Sequence, residues 1–268
     1  MVSFRGASAE AMAAVTDQFG AVSEASAAQV AGDLFAAAKA FRTEGSLRRF
    51  ATDQSVAPEA RVGLVDSLFS GKVDAAALGL VTTAVGRRWT KTRDLADALE
   101  QVGVIASVRS TGAQGARLVD ELFAVRQLVN GNPGLRDALS DRVRSVADRA
   151  DLVESLIGGK TLPATVQLVR QALSGSYRNV GLALEDYETT AADVNGEGVA
   201  TVRVARALSA QDEVRLATAL SRQYGRTVHL NIVVDPEVVG GVRVEIGDDI
   251  IDGTISSRID DARRKIAG

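Results

Sequence analysis

The chain repeats itself. "RVGLVDSLFSGK" (61–72) and "RADLVESLIGGK" (149–160) share Arg, Leu, Val, Ser, Leu, Gly and Lys at an offset of 88 residues. The same offset, without a gap, aligns Asp33-Leu34-Phe35-Ala36 with Glu121-Leu122-Phe123-Ala124 and Leu47-Arg48 with Leu135-Arg136. It also aligns Leu80-Val81 with Leu168-Val169, and Trp89 with Tyr177. Register held over that many turns is the mark of a duplicated structural unit.

The repeated unit reads as helical. Leu64, Val65 and Leu68 recur at i, i+1 and i+4 and predict an inward stripe, and Gly71 stands where a glycine stops a helix. Pro58 falls where a first-turn proline is tolerated. "NGNPG" (130–134) and "GGKTLP" (158–163) punctuate helices instead of opening hairpins. An offset of 88 leaves barely one copy's worth of chain before the second begins, so the helix around Lys91–Val108 is expected to close the first unit and open the second. The predicted shared core is Leu34-Phe35, Leu64-Val65, Leu68 and Leu80-Val81 with their partners in the second copy. The boundaries that follow are 1–110 for unit one and 111–192 for unit two.

Beyond residue 192 the period changes. "AADVNGEGVA" reads as a loop, and "TVRVARAL" alternates with period two, as a half-buried strand does. Ser209 followed by Asp212 opens a helix that ends at Tyr224-Gly225. "VHLNIVV" places Val228, Leu230, Ile232 and Val234 on one strand face, and "VRVEI" does the same for Val242, Val244 and Ile246. In "TISSRIDDARRKI", Ile255, Ile259, Ala262 and Ile266 recur at helical spacing as an inward stripe. The expected fold is mainly α: two tandem repeated helical-bundle units, then a small α/β C-terminal domain over 193–268.

Composition excludes several classes of function. The net charge is −3 and no Lys/Arg stripe is present, which argues against nucleic acid, where binding begins with phosphate neutralisation. There is no cysteine and one histidine, His229, so Cys/His metal sites, thiol catalysis and disulfides are out of reach. With 4% aromatic residues, cores of Ala, Val and Leu suit closely packed helices better than a deep ligand pocket. The uncharged stretch 75–86 is too short to span a bilayer, and Glu10 and Asp17 interrupt the Ala-rich N-terminus where a signal peptide would be apolar.

Asp248-Asp249-x-x-Asp252 has the spelling of a magnesium site for a diphosphate, and it supports the alternative reading of a Mg-dependent enzyme. The geometry opposes it. Diphosphate enzymes carry such aspartates on a helix, whereas Gly247, Ile250-Ile251 and Gly253 predict turn and strand here. On a strand, Asp248 and Asp252 lie roughly 13 Å apart, too far for one ion. The expected roles are a turn at Gly247-Asp248-Asp249, and Asp252 at the start of the last helix. "GGKT" (158–161) resembles the end of a phosphate-binding loop, but Glu154 stands where its first glycine is needed, so a helix stop followed by a lysine is expected. His229 has no matched serine or carboxylate and is expected at the surface. Trp89 and Tyr177, at equivalent repeat positions, are expected in packing roles. No catalytic constellation, cofactor site or metal site is predicted.

The stretch "VHLNIVVDPEVVGGVRVEIGDDIIDGTISSRIDDARR" (228–264) resembles the signature of the delta subunit of F-type ATP synthases, the bacterial counterpart of the oligomycin-sensitivity-conferring protein. The matching elements are Val234-Asp235, Val238, Gly240-Gly241, Val244, Glu245-x-Gly247-Asp248 and Ile251-Asp252-Gly253-Thr254, followed by an Arg-rich last helix. The approach "VRVARALSAQDEVRLATALSRQYGRTV" is also similar to the family, as is, more weakly, the region 120–190 with Gly175 and Tyr187.

The resemblance implies a non-catalytic stator connector without cofactor. Its helical part would grip the N-terminal helices of the alpha subunits, and its C-terminal part the b-type peripheral stalk. It would lie peripherally at the cytoplasmic face of the bacterial plasma membrane, associated with that membrane only through the complex. Gly240, Gly241, Gly247, Asp252 and Gly253 would then be structural signature residues, and Arg258, Arg263 and Arg264 candidate stalk contacts. The chain departs from ordinary members in carrying two helical units where they have one. A helical scaffold unrelated to the synthase is the remaining alternative.

Overall fold

The computed structural model describes residues 4–255 apart from Arg142, Ser176 and Asp248. Contacts divide the chain into two compact units, Met1–Ala191 and Ala192–Gly268. The first contains α1 (Ala7–Phe19), α2 (Glu24–Thr43), α3 (Gly45–Thr52), α4 (Pro58–Phe69), α5 (Ala75–Gly86) and α6 (Asp94–Arg109). After a 3-10 turn at Gly112–Gln114 come α7 (Gly115–Gly131), α8 (Pro133–Ser140), α9 (Val146–Ile157), α10 (Pro163–Ala172) and α11 (Val180–Val194).

The offset seen in the sequence holds in three dimensions. Moving α3 and α4 on by 88 residues lands on α8 and α9 at both ends, and α2 and α7 stop at equivalent residues. The local devices differ while the positions stay. Helix α4 starts with Pro58 at its first turn, whereas α9 starts with a capping box in which the Ser145 hydroxyl and the Asp148 carboxylate each accept a backbone N–H of the other residue. Tertiary bonds repeat as well. Asp33 Oδ2 accepts from Asp74 N–H at 2.7 Å, and the equivalent Glu121 Oε2 accepts from Leu162 N–H at 2.8 Å. Arg61 donates to the Ala51 carbonyl, and the equivalent Arg149 donates to the Leu139 carbonyl.

One helix, α6, fills the interval expected for a shared element, followed only by the 3-10 turn before α7 begins. It aligns with α1 when moved back by the repeat offset and with α11 when moved forward. Its burial is that of a helix with neighbours on all sides: every residue except Gln101, Ile105 and Arg109 is buried. Three of the buried residues are acidic, and each has partners. Asp94 accepts from the Ser8 hydroxyl at 2.7 Å, Asp97 pairs with Arg42 at 3.1 Å, and Glu100 pairs with Arg42 and with the Tyr187 hydroxyl. Gly103 lets α2 approach: a Cβ there would sit 2.6 Å from the Phe35 ring. Gln167 on α10 ties the copies together, accepting from Ser107 of α6 and donating to the Ala28 carbonyl of α2.

The expected stripe of α4 is corrected by the structure. Leu64 and Leu68 are each 39% exposed, while Val65 and Arg61 are buried. Copy two behaves alike, with Val153 buried and Leu156 exposed. The inward line runs through Arg61 and Val65 because Arg61 reaches backbone carbonyls that an apolar side chain could not satisfy.

The second unit is a four-stranded sheet of order β2-β1-β3-β4, built from β1 (Glu197–Val204), β2 (Thr227–Val234), β3 (Val242–Ile246) and β4 (Asp249–Asp252). Helix α12 (Ala210–Tyr224) makes the crossover between the parallel pair β1 and β2, and β3 and β4 follow antiparallel. Along β1, Gly198, Ala200, Val202 and Val204 are buried in strict alternation. The core adds Val228, Val244, Ile246 and Leu220 of α12. Ser209 caps α12 through Asp212 N–H, and Gly225 ends it in the left-handed conformation at φ 67°.

Two expectations for this unit are corrected. The loop read over "AADVNGEGVA" shrinks to Asn195-Gly196, because α11 runs on to Val194 and Gly196 turns the chain at φ 75° directly into β1. Val234 is exposed at the end of its strand instead of joining Val228 in the core. The expected final helix, with Ile259, Ala262 and Ile266 of its stripe, falls outside the described residues, and Ile255, expected to face inward, is 48% exposed.

Candidate functional site

The signature glycines sit where the backbone needs them. Between β2 and β3 the chain turns through Asp235–Val238 and passes Gly240 and Gly241 at φ 66° and 81°, a region costly for any residue with a Cβ. A Cβ on Gly241 would overlap the Gly253 carbonyl oxygen and lie 2.8 Å from Thr254 Cα. A Cβ on Gly240 would lie 2.6 Å from Ile255 Cδ1. The two halves of the signature are thus pressed together: Gly253 N–H donates to the Val242 carbonyl at 2.9 Å, and Ile255 N–H donates to the Gly240 carbonyl at 3.3 Å. Gly247, at φ 55°, makes the turn from β3 into β4.

Asp252 closes the arrangement. Its Oδ1 accepts from the Thr254 hydroxyl at 2.7 Å and from Thr254 N–H at 3.0 Å. Those two bonds, the hydroxyl first, hold its carboxyl below the usual carboxylate range. Asp249, at the other end of β4, accepts from the Tyr224 hydroxyl at 3.2 Å. An odd separation on a strand sends Asp249 and Asp252 to opposite faces. Asp248, the third member of the supposed magnesium cluster, lies outside the described residues. The two carboxylates that are described serve the turn and the neighbouring helix, and they do not converge on one point.

The other chemical suggestions resolve in the same way. Gly159 stops the chain after α9 at φ 69°, and Lys160 Nζ donates to the Leu156 carbonyl at 2.9 Å, at the negative end of that helix. Trp89 is buried with its indole N–H on the Ala84 carbonyl at 2.8 Å. Tyr177 stacks edge-on against Tyr187 and donates to Asp186. His229 is not the surface residue expected. Its side chain is mostly buried, with Nδ1 4.0 Å from Glu197 Oε2, because the second face of the sheet is itself partly covered at His229, Asn231 and Val233.

What remains is a surface. All four residues of the edge strand β4 are exposed, including Ile250 and Ile251. Val234, Val239 and Ile255 are exposed around the glycine turn, at the sheet end where β2 stops and β3 begins. An edge strand with apolar side chains and an apolar rim is a surface that water tolerates poorly and a protein partner can cover. The sequence places Val234 and Ile255 in inward stripes and Ile250-Ile251 in a strand, and spacing along the chain carries no sign that they form one exposed surface with Val239. Arg258, Arg263 and Arg264 lie outside the described residues. No helix among the described residues is long and apolar enough to cross a membrane.

Comparisons with known proteins agree with the resemblance of the signature. A model of the family described as the ATP synthase delta (OSCP) subunit matches residues 96–266. A protein of Nocardioides sp. named ATP synthase subunit delta is 52% identical over 269 residues, covering 99% of this chain and 98% of that protein. Proteins of the same name from Streptomyces avermitilis and Thermobifida fusca are 41% and 38% identical, covering 98% and 91% of this chain and 98% and 92% of their own lengths.

Proposed function

Because the chain belongs to the ATP synthase delta (OSCP) subunit family, we propose that it is the stator connector of a proton-driven F-type synthase, joining the catalytic headpiece to the peripheral stalk. Members of this family are non-catalytic subunits, and the described carboxylates, committed to turns and helix ends, suit that role. The helical unit holds the N-terminal helices of the alpha subunits. The C-terminal unit holds the end of the b-type stalk, and the complex sits at the cytoplasmic face of the plasma membrane.

The observation that carries the stalk assignment is the exposed edge strand β4 with Val234, Val239 and Ile255 around the paired glycines. A helix end laid on this rim would cover apolar surface that the isolated chain leaves in water. Arg258, Arg263 and Arg264 add cations for an acidic stalk end. Residues 1–110 and 111–192 act as two copies of one helical device joined through α6, and one copy holds the headpiece while the other braces it.

Affinity purification of the tagged full chain from mildly solubilised membranes tests this reading. Co-recovery of alpha, beta and b-type subunits is expected. Ile250→Asp combined with Ile251→Asp should lose the b-type subunit while keeping alpha. Recovery of the chain alone, with the headpiece intact elsewhere in the extract, would overturn the proposal. Reversing the charges of Arg263 and Arg264 should weaken stalk binding more at low salt than at high salt.

A further inference from the structure

The two copies of one arginine differ in a way that leaves a cavity open beside the second. In copy one Arg61 is 2% exposed, and Nη1 donates to the carbonyls of Ala51 and Arg87, each at 3.4 Å. In copy two Arg149 keeps the first bond, to Leu139 at 3.0 Å. It makes no second one among the described residues, although the position equivalent to Arg87 is Gly175, and its side chain is only half-buried. A cavity of about 380 Å³ opens there, between α2, α9 and the residues that follow α10.

Its lining is cationic. Lys39, Arg42, Arg149 and Arg178 face it together with Ser174 and Asn179, and none of its described lining residues is acidic, in a chain whose net charge is −3. Arg42 is already engaged by Asp97 and Glu100. No carboxylate comes within ion-pair distance of Lys39, Arg149 or Arg178 among the described residues. The position equivalent to Arg178 in copy one is Thr90, whose hydroxyl and N–H are taken by Arg5 and Ser8, so the extra cation belongs to copy two alone. Three cations that line one concavity without a carboxylate partner among the described residues are open to an anion. Guanidinium forks with a lysine and side-chain hydrogen-bonding groups make a set suited to phosphate oxygens.

We propose that this cavity binds a small phosphate-bearing anion, held by Arg149, Arg178 and Lys39. Because Lys39 comes from the first copy and both arginines from the second, the bound anion fastens the copies to each other. This does not depend on the connector reading.

Isothermal titration of the full chain with pyrophosphate, at fixed ionic strength and with chloride as the reference, tests it. One saturable site is expected, with orthophosphate binding more weakly at the same site. Arg178→Ser and Lys39→Ser, both exposed positions, should each weaken binding about tenfold or more, the scale of one lost charge-assisted contact. Arg206→Ser, an exposed arginine in the other compact unit, should bind as the wild type does. Absence of a saturable site, or equal weakening by Arg178→Ser and Arg206→Ser, would overturn the proposal. Unchanged melting of both variants without ligand would show that a loss of binding is not a loss of fold.

Discussion

Tyr187 and Glu100, 87 residues apart in the chain, share a buried hydrogen bond in which the tyrosine hydroxyl donates to Glu100 Oε1 at 2.6 Å. Glu100 sits on α6 and Tyr187 on α11. Glu100 is also held by Arg42 of α2, so one carboxylate joins three helices of both copies. Its repeat equivalent, Glu188, is likewise buried and paired to an arginine, Arg126, at 3.1 Å. The arginine has moved by one turn between copies: the equivalent of Arg42 is Asn130, and the equivalent of Arg126 is Ala38. A buried carboxylate recurs, and its counter-charge arrives from whichever turn of the long helix faces it.

Tyr187→Phe removes the donor while keeping the ring. The expected loss is about 1–2 kcal/mol, the scale for a buried bond to a charged group, read from the denaturant midpoint of the full chain. An unchanged midpoint would mean that the bond contributes nothing across the copies.

Asp97 is shifted in the opposite direction to Asp252, whose hydrogen bonds to Thr254 hold its carboxyl low. Burial raises the pKa of Asp97 above the ordinary value, in spite of Arg42 beside it. Between the ordinary and the raised value the native state binds more protons than the unfolded chain, so this group's contribution to stability falls as pH rises through that window. Relative to wild type, Asp97→Asn should therefore gain stability as pH goes from about 4 towards 7. Denaturant midpoints measured across that range check the sign, and a gain on the acid side would contradict it.

Gly103→Ala should cost about 1–3 kcal/mol, because the added methyl meets the Phe35 ring where α2 and α6 cross. Adding Phe35→Leu to the same chain should restore part of that loss. Strict additivity in the double-mutant cycle would show that the two positions do not meet.

Gly241→Val combines a left-handed φ with an overlap against the Gly253 carbonyl. The backbone strain alone is worth about 1–3 kcal/mol. The C-terminal unit should lose its amide protection in hydrogen exchange, whereas α2 and α6 should keep theirs. Loss of protection in both compact units would argue against a local role.

Glu121→Ala should destabilise more than Asp33→Ala. Both carboxylates cap the chain before the fifth helix of their copy; the second bond of Asp33 comes from the exposed Gln29 amide at 3.0 Å, whereas that of Glu121 comes from the part-buried Thr165 hydroxyl at 2.5 Å, and Arg117 adds an ion pair. About 1 kcal/mol is expected for the cap and a further increment for the second bond. Paired urea titrations of the two variants give the order.

The amino-acid sequence by itself determined the elements and their order. The offset of 88, the helix start at Pro58, the cap at Ser209 and the glycine turns at Gly225 and Gly240-Gly241 depend on residues close together in the chain, so periodicity and turn chemistry announce them.

Tertiary structure decided which faces turn inward. Arg61 is inside and Leu64 and Leu68 are outside because distant carbonyls await the guanidinium. Asp94, Asp97 and Glu100 are internal because neighbours close around all of α6. His229 lost its expected exposure when the second face of its sheet was partly covered. A side chain's face is set by helices and strands that arrive from far along the chain, and local spacing carries no record of which of them will arrive.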